Sequence, residues 1–407
     1  MGPFIARAKF LQRGMHTRPL TQKQAASLSI VVVVVVAFAQ SALAEGSTRR
    51  MRIVRESRAA FGTTAQVMAP AYTDADARMT SAHVESAFQE IARIERLVDE
   101  RAAASALARV NANAGVAPIV VEPELFALVQ EAMRVARLTQ GAFDPTFAAF
   151  EGVWRFSPDD PPAPSLDDGT VDAGDAKDGG VALVDAGVAP PEAEAHVEVP
   201  PSVPDEKLRK RFAELVNHRD LVLDPAARSV FLRKKGMKVS LRGLVRGYAL
   251  DRAAALLESR GVGSFVFTLG GDLVVRGDKE GSPWSIGIQD PRAAGHFAAL
   301  AMGPGAVMTS GDYERSFLED GKRYHHIIDP RTGKPAVGTR SVTIVAGDGL
   351  SADALATAVF VLGPKEGLRL IERLPDTDAV IVTSDNKVLI STGLRERLKW
   401  RPPTDAP

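Results

Sequence analysis

Apolar residues recur along this chain with two periods, and each period predicts a different kind of element. From Thr80 to about Asp99, Val84, Phe88, Ile91, Ile94 and Val98 follow one another at spacings of three and four, lining one face of a helix with Ser81 as its expected cap. A second helical face begins behind Pro123, a residue suited to a first turn; it carries Leu125, Leu128, Val129, Ala132, Val135 and Ala136 and stops at Gly141. A third runs from about Arg246 to Arg260 and closes at Gly261. Short apolar runs predict strands at Leu221–Leu223, Phe265–Thr268, Trp284–Ile288, Ser341–Val345, Ala379–Val382 and Val388–Ile390, the last two flanking the tight-turn pair Asp385-Asn386. Helices gathered toward the front with short strands behind them predict an α+β fold rather than a doubly wound parallel sheet.

Three segments lack either period. Residues 1–44 combine five basic side chains and no acidic one with an apolar middle that includes Val31 to Val36, and they end in Ala42-Leu43-Ala44. That is the pattern of a secretory signal, and the apolar stretch is shorter than the roughly 20 residues a membrane-spanning helix needs. The expected protein is therefore exported, periplasmic or attached to the outer side of the cytoplasmic membrane if the signal is retained. Residues 157–203 carry Asp159-Asp160-Pro161-Pro162, repeated Asp-Ala-Gly units and no aromatic residue, a composition that predicts a disordered insertion within one domain. The tail 401–407 is expected to fray. The catalytic body is thus expected in two parts, 45–156 and 204–400.

Composition closes several classes of function. With no cysteine among 407 residues there is no disulfide, no thiolate zinc site, no cysteine nucleophile and no lipidated cysteine behind the signal. The 50 basic and 50 acidic side chains balance, and setting aside the five basic ones of the signal leaves 45 against 50, so no basic field invites nucleic acid.

The chemistry falls on polar turns in the second half. Gly270-Gly271-Asp272 follows an apolar run, where it makes either a hairpin turn or a close backbone approach to a ligand. Thr309-Ser310-Gly311-Asp312-Tyr313 is a second polar turn. His325-His326 would point to opposite faces of a strand, so one imidazole at most faces any site and could accept a proton there. Asp329-Pro330-Arg331-Thr332-Gly333 reads as a turn. Asp353 and Thr357, four apart at a helix start, share a face that suits a hard cation, although a first-turn Asp also simply favours the helix dipole.

In order and spacing these elements resemble the ApbE family of FAD:protein FMN transferases. The resemblance rests on Phe61-Gly62-Thr63, Ser105 to Asn111, Gly141 to Thr146 with Trp154, Arg246 to Asp251, Gly270-Gly271-Asp272, Trp284 with Asp290-Pro291, Thr309 to Tyr313, His326 to Gly333 and Ala352 to Thr357. It implies mixed or antiparallel sheets with packed helices around a cleft for FAD and Mg²⁺. It also implies transfer of the FMN half of FAD to a threonine of an acceptor protein with release of AMP, or in some members hydrolysis of FAD to FMN and AMP; a weakened protein that only binds FAD is the third possibility. By matched position, Asp353, Thr357 and the backbone carbonyl of Val245 would hold the metal, and His326 would be the base. Ala142, Phe143, Asp144, Gly270, Gly271, Asp272 and Ile327 would line the FAD site. The chain departs from the family at Ser240, Arg242 and Arg246, where a carboxylate, a glycine and a lysine are usual, and at Asp99-Glu100-Arg101, where Ser-x-Tyr is common. Arg242 is expected to act with Arg246 as a clamp on the diphosphate or else to obstruct the cleft.

Overall fold

Alternation is so regular along the central strands that each sheet face can be assigned residue by residue. In the computed structural model, which describes residues 51–156 and 201–400, eight strands pair antiparallel throughout in the order Arg52–Ala60, Thr63–Ala71, Phe265–Leu269, Asp272–Arg276, Gly305–Gly311, Thr339–Ala346, Asp378–Thr383 and Val388–Ile390. Phe265, Phe267, Leu269, Val274, Met308, Ile344 and Ile381 enter the larger core with the helices, whereas Val266, Leu273, Val275, Val307, Val345 and Val380 enter a second core on the opposite face. That second core is closed by a three-stranded sheet, ordered Leu398–Trp400, His296–Met302 and Trp284–Gln289, whose Trp284, Ile286 and Leu300 are buried. Burial on both faces is why these strands read as continuous apolar runs. The α+β expectation holds.

Helix Asp74–Leu97 lies along helix Val245–Ser259 and against the sheet, and Phe88 meets Phe267 edge to face at 5.6 Å. Helix Pro123–Leu138 buries the expected stripe from Leu125 to Ala136. Gly141, at φ 80°, turns the chain away just beyond that helix. Helices Gly349–Leu362 and Pro364–Ile371 also belong to the helical face, so helices are not confined to the front of the chain.

Two expectations need correcting, and one hairpin carries no readable signal. The first helix begins at Asp74, not near Thr80: the hydroxyl of Thr73 accepts from the Asp76 N–H at 3.0 Å, and Ser81 lies inside the helix. Its first turn is polar, so the apolar period begins a turn late. The hairpin Arg52–Ala71 has no strand signal strong enough to read, because its first strand is an edge strand with Arg52, Arg55, Glu56 and Arg58, side chains that discourage edge pairing. Phe61 and Gly62 form its two-residue turn with φ of 49° and 70°, a left-handed pair that usually takes Asn-Gly. Finally, Ser202 pairs with Arg155, so the folded body resumes before Pro204. The signal, residues 157–200 of the insertion and the tail lie outside the described residues.

Trp154 anchors a satellite cluster with Phe150, Val153, Leu208 and Phe212, and its indole N–H donates to the Gly333 carbonyl at 2.8 Å. Arg155 and Ser202, on the two sides of the insertion, are bridged beside this cluster.

Removing the true cap should be felt and removing the expected one should not. Thr73→Ala should cost about 1 kcal/mol in urea denaturation, and Ser81→Ala should stay within about 0.5 kcal/mol of the parent. Equal losses would put the helix start back near Ser81.

Candidate active site

Two helix starts converge at one point because two glycines leave room for it. A Cβ on Gly247 would lie 2.0 Å from the Gly349 carbonyl oxygen, and a Cβ on Gly349 would lie 2.5 Å from the Gly247 carbonyl oxygen. The contact is backbone on backbone, and any side chain at either position would part the helices. Across it the Gly247 N–H donates to Asp353 Oδ2 at 3.1 Å. In return, the N–H groups of Gly349 and Leu350 donate to Asp251 Oδ1 and Oδ2 at 2.8 and 2.9 Å.

The expected metal-binding residues come together here. Asp353 is buried, and Thr357 Oγ1 stands 3.4 Å from the Ser310 hydroxyl at the end of strand Gly305–Gly311. Val245 and Arg246 open helix Val245–Ser259 at the same junction. Arg246 reaches Asp272 at 3.5 Å, and the Thr309 N–H donates to the other oxygen of Asp272 at 2.9 Å. Burial pushes the Asp353 carboxyl up from its ordinary value and the Asp272 charge adds to this, while Arg246 opposes both. Burial likewise raises Asp272 against the pull of Arg246. One guanidinium shared by two buried carboxylates leaves a local excess of negative charge. Among the described residues no group of three or more His, Asp or Glu side chains could hold a metal ion. Asp353 and the Thr357 hydroxyl are oxygen donors of the kind a hard cation takes.

Gly270 and Gly271 form the two-residue turn between paired Leu269 and Asp272, with Gly270 at φ 65°, so the bland reading of this motif is correct for its backbone. The turn nevertheless aims Asp272 at Arg246. His325 ends a strand and His326 follows it. His325 Nε2 contacts the Ala336 carbonyl at 3.0 Å, which commits it to the fold. His326 Nδ1 is buried without a hydrogen-bond partner among the described residues, and burial, aided by Arg315, pushes its pKa down to about 3. Arg246 contributes to that lowering, which places His326 within electrostatic reach of the helix junction. Ile327 is buried beside it.

The residues expected to line the flavin are less uniform. Ala142 and Phe143 are buried, and the Phe143 ring lies 2.9 Å from where a Cβ on Gly243 would be. The Asp144 carboxylate is spent inside the protein: Oδ1 accepts from the Thr146 N–H at 2.8 Å and its hydroxyl at 2.6 Å, while Oδ2 accepts from the His218 N–H at 2.8 Å and meets His218 Nδ1 at 2.9 Å. The Arg242 guanidinium lies 3.4 Å from Glu151 and 3.5 Å from Glu100, while Arg246 lies against Asp272. Ser240 bonds to that same Glu100, whose carboxyl is raised by burial. His218 supports the site without a signal in the sequence, whereas Ser310 lies in the polar turn Thr309 to Tyr313, Glu100 in the departure at Asp99-Glu100-Arg101 and Asp251 in the motif Arg246 to Asp251.

An α+β frame and two helix starts crossed on glycine, with buried carboxylates at the crossing, define the candidate site. The model of the ApbE family matches residues 61–381. The FAD:protein FMN transferase of Treponema pallidum (strain Nichols) is 31% identical over 366 residues, which cover 87% of this chain and 91% of that protein. That of Klebsiella pneumoniae (strain 342) is 30% identical over 318 residues, 77% of this chain and 86% of the relative. The crystal structure of the ApbE protein from Thermotoga maritima aligns with a TM-score of 0.68 at 28% identity, covering 86% of this chain and all of that one. The flavin transferase ApbE from Vibrio cholerae shares the fold at a TM-score of 0.66 and 23% identity, covering 86% of this chain and all of that one. This chain belongs to the ApbE family.

The environments of two aspartates predict opposite tolerances. Asp144→Ala strands buried donors and should cost about 3 kcal/mol or more, because each unsatisfied partner of a charged group loses on the order of 1 to 3 kcal/mol. Asp353→Ala removes a carboxylate whose charge the fold disfavours, and without added metal it should melt closer to the parent than Asp144→Ala does. The reverse order in thermal melting would show that Asp353 is the structural residue.

Proposed function

We propose that this chain is an exported, Mg²⁺-dependent FAD:protein FMN transferase that attaches FMN to a threonine of an acceptor protein. The observation that carries the proposal is the junction of Gly247 and Gly349, which gathers Asp353, Thr357, Ser310, Arg246 and Asp272. The named activity of the two relatives supports the same reading.

In that reaction the threonine hydroxyl oxygen bonds to the FMN-side phosphorus of FAD, the P–O bond to the AMP half breaks, and AMP leaves. The hydroxyl proton goes to His326, which burial keeps unprotonated, at the expense of its strength as a base. Arg246 offers a forked cation to the diphosphate, and the paired helix starts favour negative charge at the same place. Asp353, Thr357 and Val245 would hold Mg²⁺, which when bound offsets phosphate charge. Ala142, Phe143, Ile327 and the Gly270-Gly271 turn would flank the flavin nucleotide.

Purified protein given FAD, Mg²⁺ and a threonine-bearing acceptor should release AMP, and the acceptor should gain the mass of FMN. Asp353→Ala should abolish both while remaining folded. AMP release at the same rate without acceptor would make the protein a pyrophosphatase, and none under either condition would leave it a flavin-binding protein.

The pH dependence follows from His326 and Asp353. A histidine lowered to about 3 is neutral at every pH above that value, so protonation does not remove the base between pH 5 and 8. The rise of kcat/KM for FAD with pH, which reports the free enzyme, should therefore come from the Asp353 carboxyl, raised to about 7, and should move to lower pH as Mg²⁺ is increased, because a cation favours the charged carboxylate. An inflection that stays near the ordinary histidine value of about 6.5 at every Mg²⁺ concentration would mean that His326 is titrating and is more open to solvent than its packing indicates.

A further inference from the structure

The two helices that meet at the active site carry the same five-residue pattern. Gly247-Tyr248-Ala249-Leu250-Asp251 opens one, and Gly349-Leu350-Ser351-Ala352-Asp353 opens the other. In each, the glycine N–H donates to the aspartate of the opposite helix, Gly247 to Asp353 and Gly349 to Asp251. The arrangement is reciprocal because the spacing of four puts glycine and aspartate on one face, one turn apart, so that each aspartate looks back at the crossing point.

Reciprocity in bonding does not mean equivalence in role. Both oxygens of Asp251 are occupied by helix-start N–H groups, from Gly349 and Leu350. Helix Val245–Ser259 has no side-chain cap of its own, so Asp353 from the opposite helix supplies a first-turn acceptor there. Helix Gly349–Leu362 is capped by its own Asp348, which accepts from the Ser351 N–H at 2.7 Å, and so does not need Asp251 to begin. What Asp251 adds is a tie between the helices, not the start of either one.

We infer that Asp251 is a positioning residue for divalent-cation binding: it locks helix Gly349–Leu362 onto helix Val245–Ser259 and so fixes Asp353 and Thr357 relative to Val245. The inference rests on the Mg²⁺ reading of the site. An ionised carboxylate accepts from both amides, whereas an asparagine offers one acceptor and turns a donor toward the other N–H. Charge-assisted bonds of this kind are about twice as strong as neutral ones.

The test titrates the metal-free full chain with MgCl₂ and follows the melting temperature, without FAD or turnover. In Asp251→Asn the Mg²⁺ concentration giving half of the thermal shift should rise by about tenfold or more, the loss expected from one charge-assisted hydrogen bond. In AMP release the half-saturating Mg²⁺ should rise in parallel while kcat at saturating Mg²⁺ stays within about twofold, the signature of lost binding and retained chemistry. Asp348→Ala supplies the control for general weakening of the same helix: it should lower the melting temperature and leave the Mg²⁺ midpoint unchanged. If Asp251→Asn does not fold, Gly349→Ala, which forces the crossing apart with Asp251 intact, should raise the midpoint in the same way. A midpoint in Asp251→Asn equal to the parent's, or an equal rise in Asp348→Ala, overturns the inference. A parent protein whose melting temperature ignores MgCl₂ overturns the Mg²⁺ reading itself, and the inference with it.

Discussion

The architecture depends on bringing the starts of two helices into contact, which electrostatics opposes. Each helix start carries partial positive charge and N–H groups without intrahelical partners. Driving two of them together is unfavourable unless acceptors stand between them, and Asp251 and Asp353 are those acceptors. The glycines make the approach sterically possible, and the aspartates make it electrostatically tolerable. The cost is visible in both carboxyls: burial raises Asp251 to about 6 and raises Asp353 as well. Those acceptors take the N–H groups of Gly247, Gly349 and Leu350 and leave Asp353, with one of these amides against two for Asp251, the less compensated carboxylate.

A junction under such opposition needs a stiff support, and the central sheet provides it. Buried on both faces, with aliphatic and aromatic side chains alternating between two cores, it cannot slip register by one residue without turning one core inside out. Strand Gly305–Gly311 ends in Thr309 and Ser310, and the turn before strand Asp272–Arg276 places Asp272, so the same rigid platform supplies the polar groups that face the helix starts. Arg93 binds Glu90 and Glu124 together, and the Tyr248 hydroxyl donates to Glu124, which ties helix Asp74–Leu97 and the start of helix Pro123–Leu138 to the helix that carries Gly247.

How much of this was legible depended on whether a residue's role is set by its neighbours in sequence. The faces from Val84 to Ile94 and from Leu125 to Ala136 and the runs around Phe265 and Ala379 were readable because burial imposes a period. The start at Thr73 was not, since a polar first turn carries no period. The hairpin before Thr73 was also hidden, because an edge strand protects itself with charge and its turn uses Phe61 where a hairpin signal would show Asn. Arg242 was readable as anomalous but not as paired, for its partners Glu100 and Glu151 both lie far upstream in the chain.

Three aspartates show why residue type at a matched position is not yet a role. Asp144 is satisfied on both oxygens by Thr146 and His218, so it holds the loop behind Phe143 and has no oxygen to spare for a ligand. Asp251 is also satisfied on both oxygens, but by the amides of another helix, so it fixes a distance between elements rather than the shape of a loop. Asp353 accepts from Gly247 and is left buried and short of compensation, and a shortage of that kind is what a cation can remedy. Among the three, chemical capacity rises as internal satisfaction falls. His325 and His326 both have a buried Nδ1 without a hydrogen-bond partner among the described residues, and what separates them is Nε2: that of His325 is held by the Ala336 carbonyl.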